Sequence, residues 1–485
     1  MPTVRAFIDW SDATTYLGAG EDVTARVLAE RGMTMERGRD QLRALAPPMA
    51  GKLDFALDNR SRDYSTENAA SPLAAQLRPG HRVRVTATAA GGTTYTLATA
   101  LLDDLPQEPA LGARSVGVPC LGMLSRLAGQ AVTTAVYQGI TTDVAIHAIL
   151  DAVGWPAAER AIQTGATILA WWWLEAVDAF QALRALLNTE GPGAALYERG
   201  DGYLVFEDRH YRILTARANT SQATIRDSGA SPWHGGPFAL APNLKNVINR
   251  AELPVKLRTP QPLAQVWALG ANLILAANTT TRLIVRDAGG EPFIEALVPQ
   301  LGPDYTLLAG TVTLTLDRTS GRAATLTLVA GAGGATITAL RLRARRLVAT
   351  EVRVYNTVDT SASQAKYGVR TWAAETWPEI DLLMAQDLAN AIVNLYQEPR
   401  ASATITVPGD DAAMLAQCLA REVSDRITVT EAQSGLNTAM TIERIAHAIG
   451  VRGRIVTTFG LEKAGAAVPY SIWDSSNFDS AVWGF

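Results

Sequence analysis

Cysteine is nearly absent, with only Cys120 and Cys418 in 485 residues. That excludes a disulfide framework and a thiolate zinc site. Both thiols sit in apolar surroundings and read as buried and inert. Lysine is scarce as well. Lys52, Lys245, Lys256, Lys366 and Lys463 are all of it, and arginine supplies the rest of 43 cations against 47 acids. The formal charge of −4 gives no strongly basic surface for tight nucleic-acid binding. The five histidines, His81, His147, His210, His234 and His447, show no metal-ligand spacing. The longest apolar stretch, around Ala166–Trp173, is far short of the ~18 residues of a membrane span. Met1–Trp10 has no basic segment leading into an apolar core, so the chain is expected to be made and folded in a cytoplasm. No Walker A loop, GxGxxG, GxSxG or HExxH motif is present. The run Asp58–Tyr64 lacks the alternating oxygens, central Gly and final Glu of a calcium loop. It reads as a turn capped by its own Asp and Asn. No catalytic residue, cofactor or metal site is expected.

What is present is an ordinary globular composition, 48% hydrophobic and 19% charged, long enough for about three or four domains. The first part reads as β. Val4–Trp10 and Val23–Ala29 are short apolar strands. Gly51–Leu57 alternates Leu53, Phe55 and Leu57, the period of a half-buried strand. His81–Ala89 and Tyr95–Leu102 pair across Gly91-Gly92. Beyond residue 119 the pattern turns to α+β. Thr141–Val153 is an amphipathic helix with Val144, Ile149, Leu150 and Val153, stopped by Gly154. Leu174–Leu187 is a second helix, ending at Gly191. Tyr197–Glu207 is a hairpin turning at Gly200-Asp201-Gly202. Trp171-Trp172-Trp173 reads as core or domain-interface packing rather than a stacking platform.

Residues 262–350 carry almost no helix signal. Thr311–Leu316, Ala323–Val329 and Ala335–Leu342 alternate, with turns expected at Thr319-Ser320-Gly321 and Gly331-Ala332-Gly333-Gly334, which suggests a small β-sandwich. After a strand at Glu351–Tyr355 comes the strongest helix. Met384, Leu388, Ala391, Ile392 and Leu395 form one stripe, and the helix stops before Glu398-Pro399. Strands follow at Ala401–Val407, Arg426–Thr430 and Thr438–His447. From Val468 to Phe485 there is no clean period.

Some of these stretches are more specific. A strand ending at Asn59 is followed by Arg62, Tyr64, Asn68, Ser71-Pro72-Leu73, then Leu77, Pro79-Gly80 and Val83-Arg84-Val85. Further along come Gly154-Trp155-Pro156, Gly202 to Arg209, Tyr367-Gly368, Pro399-Arg400, Asp425 and the closing Ile472-Trp473-Asp474. This ordered set resembles the tail-tip or baseplate hub proteins of tailed bacteriophages, often labelled minor tail proteins. It spans nearly the whole chain, and 262–350 departs from it as an inserted β domain.

The resemblance implies a mainly β fold with α+β parts. Residues 1–118 would be a first tube-like β-barrel domain and 119–245 an α+β peripheral domain. A second tube-like barrel would use 246–261 and 351–470, with a small α/β subdomain around the helix 382–396. An inserted β-sandwich would occupy 262–350, and 471–485 would be an arm. It also implies a non-enzymatic homotrimer at the tail tip of a virion, whose six barrels match a hexameric tail tube; the alternatives are a hexameric distal tail protein or a receptor- or glycan-binding tail-tip protein. The implied partners are the tube or distal tail ring, the tape measure protein, fibre or tip proteins and the host surface. Phage DNA would pass through the lumen without specific binding. Asn59, Tyr64, Asn68, Ser71, Pro72, Pro79, Gly80, Gly202, Tyr367, Gly368, Pro399 and Asp425 are the motif residues, expected to serve the fold. Trp473, Phe478, Trp483 and Phe485 are aromatic anchors for an interface.

Overall fold

The computed structural model describes residues 2–465 apart from 44, 230–231, 235–237, 243, 319 and 375–379. The architecture is mainly β with α+β parts, as the sequence predicts. Its largest element is a 12-stranded sheet. Thr3–Ile8, Arg82–Thr88, Thr94–Leu102, Cys120–Gly122, Pro48–Asp54 and Met33–Arg39 lie side by side in that order. Leu436–Ile449, Ile455–Lys463, Ala401–Pro408 and Ala239–Pro242 continue the row. The two ends of the chain meet where Met33–Arg39 pairs antiparallel with Leu436–Ile449, Met35 opposite His447 and Arg37 opposite Ile445. The expectation of two separate tube-like barrels is therefore corrected in one respect. Among the described residues no sheet closes on itself, and strands of both expected barrels share one sheet. Each half has a strand with unpaired backbone groups, and joining them satisfies both edges.

One face of this sheet is buried. Val83, Val85 and Ala87 alternate inward along Arg82–Thr88. They belong to one core with Leu53, Ile405, Ile445 and Phe459. That core runs across the join, so each end of the chain completes the other. Fully burying such aliphatic side chains stabilises by roughly 1.5–3 kcal/mol apiece.

A second core gathers the α+β parts. The helices Thr142–Ala152 and Ala179–Glu190 share it with the distant helix Leu382–Tyr396. The sequence placed these helices but not all their faces. Val144 is exposed, and Thr142, Ala145, Ile146, Ile149 and Leu150 point inward. Ala391 is exposed too, and Ala385, Leu388, Ile392 and Tyr396 form the buried stripe. The second helix starts at Ala179 rather than Leu174. Asp178 caps it by accepting from the Gln181 N–H at 3.0 Å, and Ala176 takes a left-handed turn with φ 51°. Val23–Ala29 is no strand. Thr24–Arg26 is a single 3-10 turn, because the Thr24 hydroxyl accepts the Ala6 N–H at 3.0 Å and so takes a ladder position itself. The helices Ser361–Tyr367 and Ala412–Ala420 and the strands Met33–Arg39 and Ile455–Lys463 were not anticipated.

Residues 262–350 form a sheet built around one long run, Ala323–Tyr355. Tyr305–Asp317 pairs with it along its length, and Thr280–Arg286, Leu273–Leu275 and Ala264–Ala268 pair with successive stretches. Gly331-Ala332-Gly333-Gly334 is a bulge within this run and not the expected turn. Gly310 stands opposite Ala335 and Val312 opposite Ala330, so four residues face Thr311 alone. Gly334, with φ 71°, makes that excess possible without a Cβ clash. The run ends paired with Arg250–Pro260, and the insert touches the α+β part where the Ser320 hydroxyl donates to Glu175 at 2.6 Å.

Candidate functional site

The outer face of the joined sheet is the surface that the sequence gives no reason to bury. It is made of residues that alternate with the core set. Thr34, Lys52, Asp54, Leu121 and Ala448 are exposed, and Glu36, Arg444, Ala446, Val456 and Thr458 are half-buried. All of them but Arg444 line a depression of about 480 Å³. The side chains are mostly small, and Glu36, Asp54 and Asp103 outnumber Lys52 and Arg444. Lys52 stands opposite Glu36 across the strand pair, and the Arg444 guanidinium donates to Glu36. Asp54 is opposite Thr34, and burial raises its carboxyl above the ordinary value. The Thr406 and Thr458 hydroxyls are hydrogen-bonded at 3.1 Å. This face carries no cluster of unpaired cations.

Beneath one end of it a buried ionic knot fastens three parts of the chain together. Glu443 is 1% exposed. It accepts from Arg39 at 2.7 Å and from Arg212 at 2.5 and 3.1 Å. Arg39 also donates to Glu462 at 2.6 Å, and Arg400 Nε lies 3.0 Å from Glu462. Arg37 donates to Glu422 at 2.9 and 3.1 Å. Burial pushes the Glu443 carboxyl up, but the Arg212 and Arg39 guanidiniums outweigh it and hold it at about 2. The knot depends on a bulge. The register shifts between Ile442 and Arg444, opposite Gly38, whose φ is 110°. A Cβ on Gly38 would strike the Glu443 carbonyl, so only glycine lets the strands approach here.

Two more carboxylates are buried nearby. Glu198 passes through a window left by Gly51 and Gly122, where any Cβ would collide with its carboxyl. It accepts N–H bonds from Gly51 at 2.5 Å and Leu124 at 2.9 Å. Burial outweighs those donors and pushes it up to about 7. Glu207 accepts from the Tyr197 hydroxyl at 2.9 Å, while its Oε2 has no partner. Burial pushes it up to about 7 as well, against the pull of Arg212. His447 is driven down to about 3 by burial and then Arg37, so it is neutral in the core.

The motif residues sit in separate structural knots rather than one site. Asn59 accepts the Tyr64 N–H at 3.0 Å and donates to the Ser65 hydroxyl at 3.0 Å. Asn68 donates to the Arg62 carbonyl at 3.0 Å, and Ser71 to that of Asp63 at 2.5 Å. The buried Tyr64 packs by Trp10. Pro72 and Pro79 are exposed, and Gly80 turns with φ 95°. Gly202, with φ 91°, presses on Thr99. Tyr367 donates to Glu398 at 2.6 Å, next to Pro399, and Asn249 donates to the Gly368 carbonyl at 2.9 Å. Asp425 is buried and accepts from Arg217 at 2.5 and 3.0 Å. Trp473, Phe478, Trp483 and Phe485 lie outside the described residues. Cys120 and Cys418 are buried, and burial raises both thiols. Trp171 and Trp172 are core. Trp173 meets the insert at Gly321, where a Cβ would be 2.6 Å from its ring, under the Arg258 guanidinium at 4.6 Å. Among the described residues no group of three His, Cys, Asp or Glu is placed to hold a metal, and no helix is long and apolar enough to cross a membrane.

No family model matches the sequence, and no curated protein does. Solved structures do. The tail protein from Neisseria meningitidis MC58 superposes with a TM-score of 0.51 at 12% identity, over 96% of this chain and 98% of that one. This chain has the fold of that tail protein. The tail-protein fold thus covers the joined sheet, the α+β parts and the insert together. The 43 kDa tail protein of prophage MuSo2 from Shewanella oneidensis gives a TM-score of 0.49 at 10% identity, over 96% and 98%. A component of the type VI secretion system of E. coli gives 0.40 at 8%, over 95% and 77%. The ionic knot is the part of this tail-protein fold that sequence reading missed. Its acids and arginines are up to 423 positions apart in the chain, and only the arginine excess hinted at it.

Proposed function

We propose that this chain is a structural virion protein, a trimeric hub at the distal end of a phage tail, and that the outer face of the joined sheet lines the channel for DNA. The observation that carries this is the charge of that face. Glu36, Asp54 and Asp103 stand beside Lys52 and Arg444, and the Glu36–Arg444 contact ties up one of the two cations. A DNA duplex holds one negative charge per ~1.7 Å, and each phosphate captured by a free cation slows its passage. A wall of Thr and Ala with one acid in excess does not capture it. The fold of a tail protein supports the same reading. So does the join itself, since a sheet shared by both ends of the chain is a rigid wall segment.

On this reading residues 1–118 and the stretches 246–261 and 351–470 are two wall units. Three chains then present six units to a hexameric tube or distal tail ring. The 119–245 part lies at the periphery. The insert 262–350 is an outward spacer. Its non-core face carries Thr313, Thr315, Thr325 and Thr327 beside Arg282 and Ile284, and those side chains include no aromatic ring on which a sugar would stack. The role is structural, in contact with the tape measure protein above and with fibre or tip proteins below.

Electron microscopy of the native particle with symmetry resolved tests this, together with the mass of the purified assembly. Three copies around a channel at the tail tip are expected. Six copies in a ring above the tip would assign the chain to a distal tail protein instead, and absence from the tail would end the reading.

A further inference from the structure

A second depression, about 710 Å³, opens where three parts of the chain meet: 94–96, 160–218 and 419–425. Its walls carry Arg160, Arg199, Arg217 and Arg421, with Tyr95 and Tyr211. Three of the four carboxylates there are engaged, while Glu207, the fourth, keeps Oε2 without a hydrogen bond. Asp201 takes Arg199 at 2.7 Å. Asp425 is shared, with Arg217 at 2.5 Å and Arg421 only at 3.5 Å. Glu422 is held by Arg37 at 2.9 Å. Arg421 is left with Nε and Nη1 making no hydrogen bond. With Arg37 the lining holds five arginines against Asp201, Glu207, Glu422 and Asp425, one cation in excess, and it includes Tyr95 and Tyr211.

The sequence supplies a complement. Val468–Phe485 contains Asp474 and Asp479, no lysine or arginine, and the aromatics Tyr470, Trp473, Phe478, Trp483 and Phe485. The chain leaves the sheet beside the groove. The Ala464 N–H donates to the Ala439 carbonyl at 3.0 Å, and Ala439 pairs with Thr428, close in sequence to Asp425. Crossing two strand spacings and three residues is about 20 Å. The residues from Gly465 to Asp474 span up to about 30 Å when extended.

We propose that this groove is the docking site for the Val468–Phe485 segment of the same chain, with its aspartates meeting Arg421 and its aromatic side chains lying on Tyr95 and Tyr211. Charge-assisted hydrogen bonds to the free guanidinium donors orient the segment, and ring contacts hold it. The inference does not rest on the tail reading, since it uses only charge, reach and unmade hydrogen bonds.

The test places a photo-crosslinking benzoylphenylalanine at Phe478 of the full-length chain and maps the products by mass spectrometry. A mixture of isotopically light and heavy chains separates links within one chain from links between chains. Links within one chain to peptides covering 94–96, 199–217 or 419–425 are expected. Their yield should fall about tenfold in Asp474→Asn/Asp479→Asn, and by a similar factor in Arg421→Gln. Links elsewhere, links only between light and heavy chains, or a yield unmoved by the aspartate double variant would overturn the proposal.

Discussion

Glu443→Gln probes the ionic knot directly. In the native chain Glu443 is 1% exposed and faces Arg39 and Arg212. Removing its charge leaves two guanidiniums, of which Arg39 keeps a hydrogen-bonded acid, Glu462, and Arg212 keeps only the more distant Glu207. Breaking a buried pair by taking away one partner costs about 3–5 kcal/mol. The carboxyl's shift gives an independent figure. Its value of about 2 in the fold, against roughly 4.3 for a free glutamate, corresponds to about 3 kcal/mol at neutral pH. The two routes agree within their precision. The sign follows from the depressed value. The contribution is complete above the free value and is lost as pH falls from about 4.3 towards about 2. Urea melts followed by near-ultraviolet circular dichroism should therefore show Glu443→Gln less stable by about 3–5 kcal/mol at pH 7. The gap should shrink steadily below about pH 4.3. A variant within 1 kcal/mol of the native chain at pH 7, or a gap that stays constant in acid, would refute the assignment of the knot as a fastening.

Glu207 has the opposite sign. Its value of about 7 makes the protonated form the one that fits, so its contribution is lost as pH rises from about 4.3 through about 7. Glu207→Gln, which imitates the protonated group, should gain about 1–3 kcal/mol over the native chain at pH 8 and nothing at pH 4 in the same melts. Gly122→Ala drives a Cβ into the Glu198 carboxyl and should cost more than about 3 kcal/mol. Glu198→Ala should recover part of that in a double-mutant cycle, and strict additivity would show that the window is not the cause. Trp173→Ala removes the ring seated between Gly321 and Arg258. Hydrogen exchange should then rise around Ser320–Arg322 while the Ile405–Phe459 core stays protected; exchange unchanged at Gly321 would count against the contact.

The sequence alone determined what depends on neighbours along the chain. The hairpin of Arg82–Thr88 with Thr94–Leu102 follows from alternation and Gly91-Gly92. The helix Leu382–Tyr396 follows from its stripe and its stop before Glu398-Pro399, while the Asp381 cap, which accepts the Met384 N–H at 2.7 Å, appears only in the structure. The inert cysteines, the self-capped turn at Asn59 and the mainly β class follow from local patterning in the same way. Tertiary structure decided the rest. Val144 and Ala391 turn outward because the real helix faces are set by which partner arrives, and helical periodicity alone allows a neighbouring stripe. Gly331–Gly334 has the composition of a turn, yet it bulges because Tyr305–Asp317 holds the strand on both sides of it. The joined sheet, and the Arg39, Glu443 and Arg212 knot beneath it, unite residues hundreds of positions apart. No local pattern encodes such a meeting, because ionic pairing and edge pairing depend on distance in space, which only the packed chain defines.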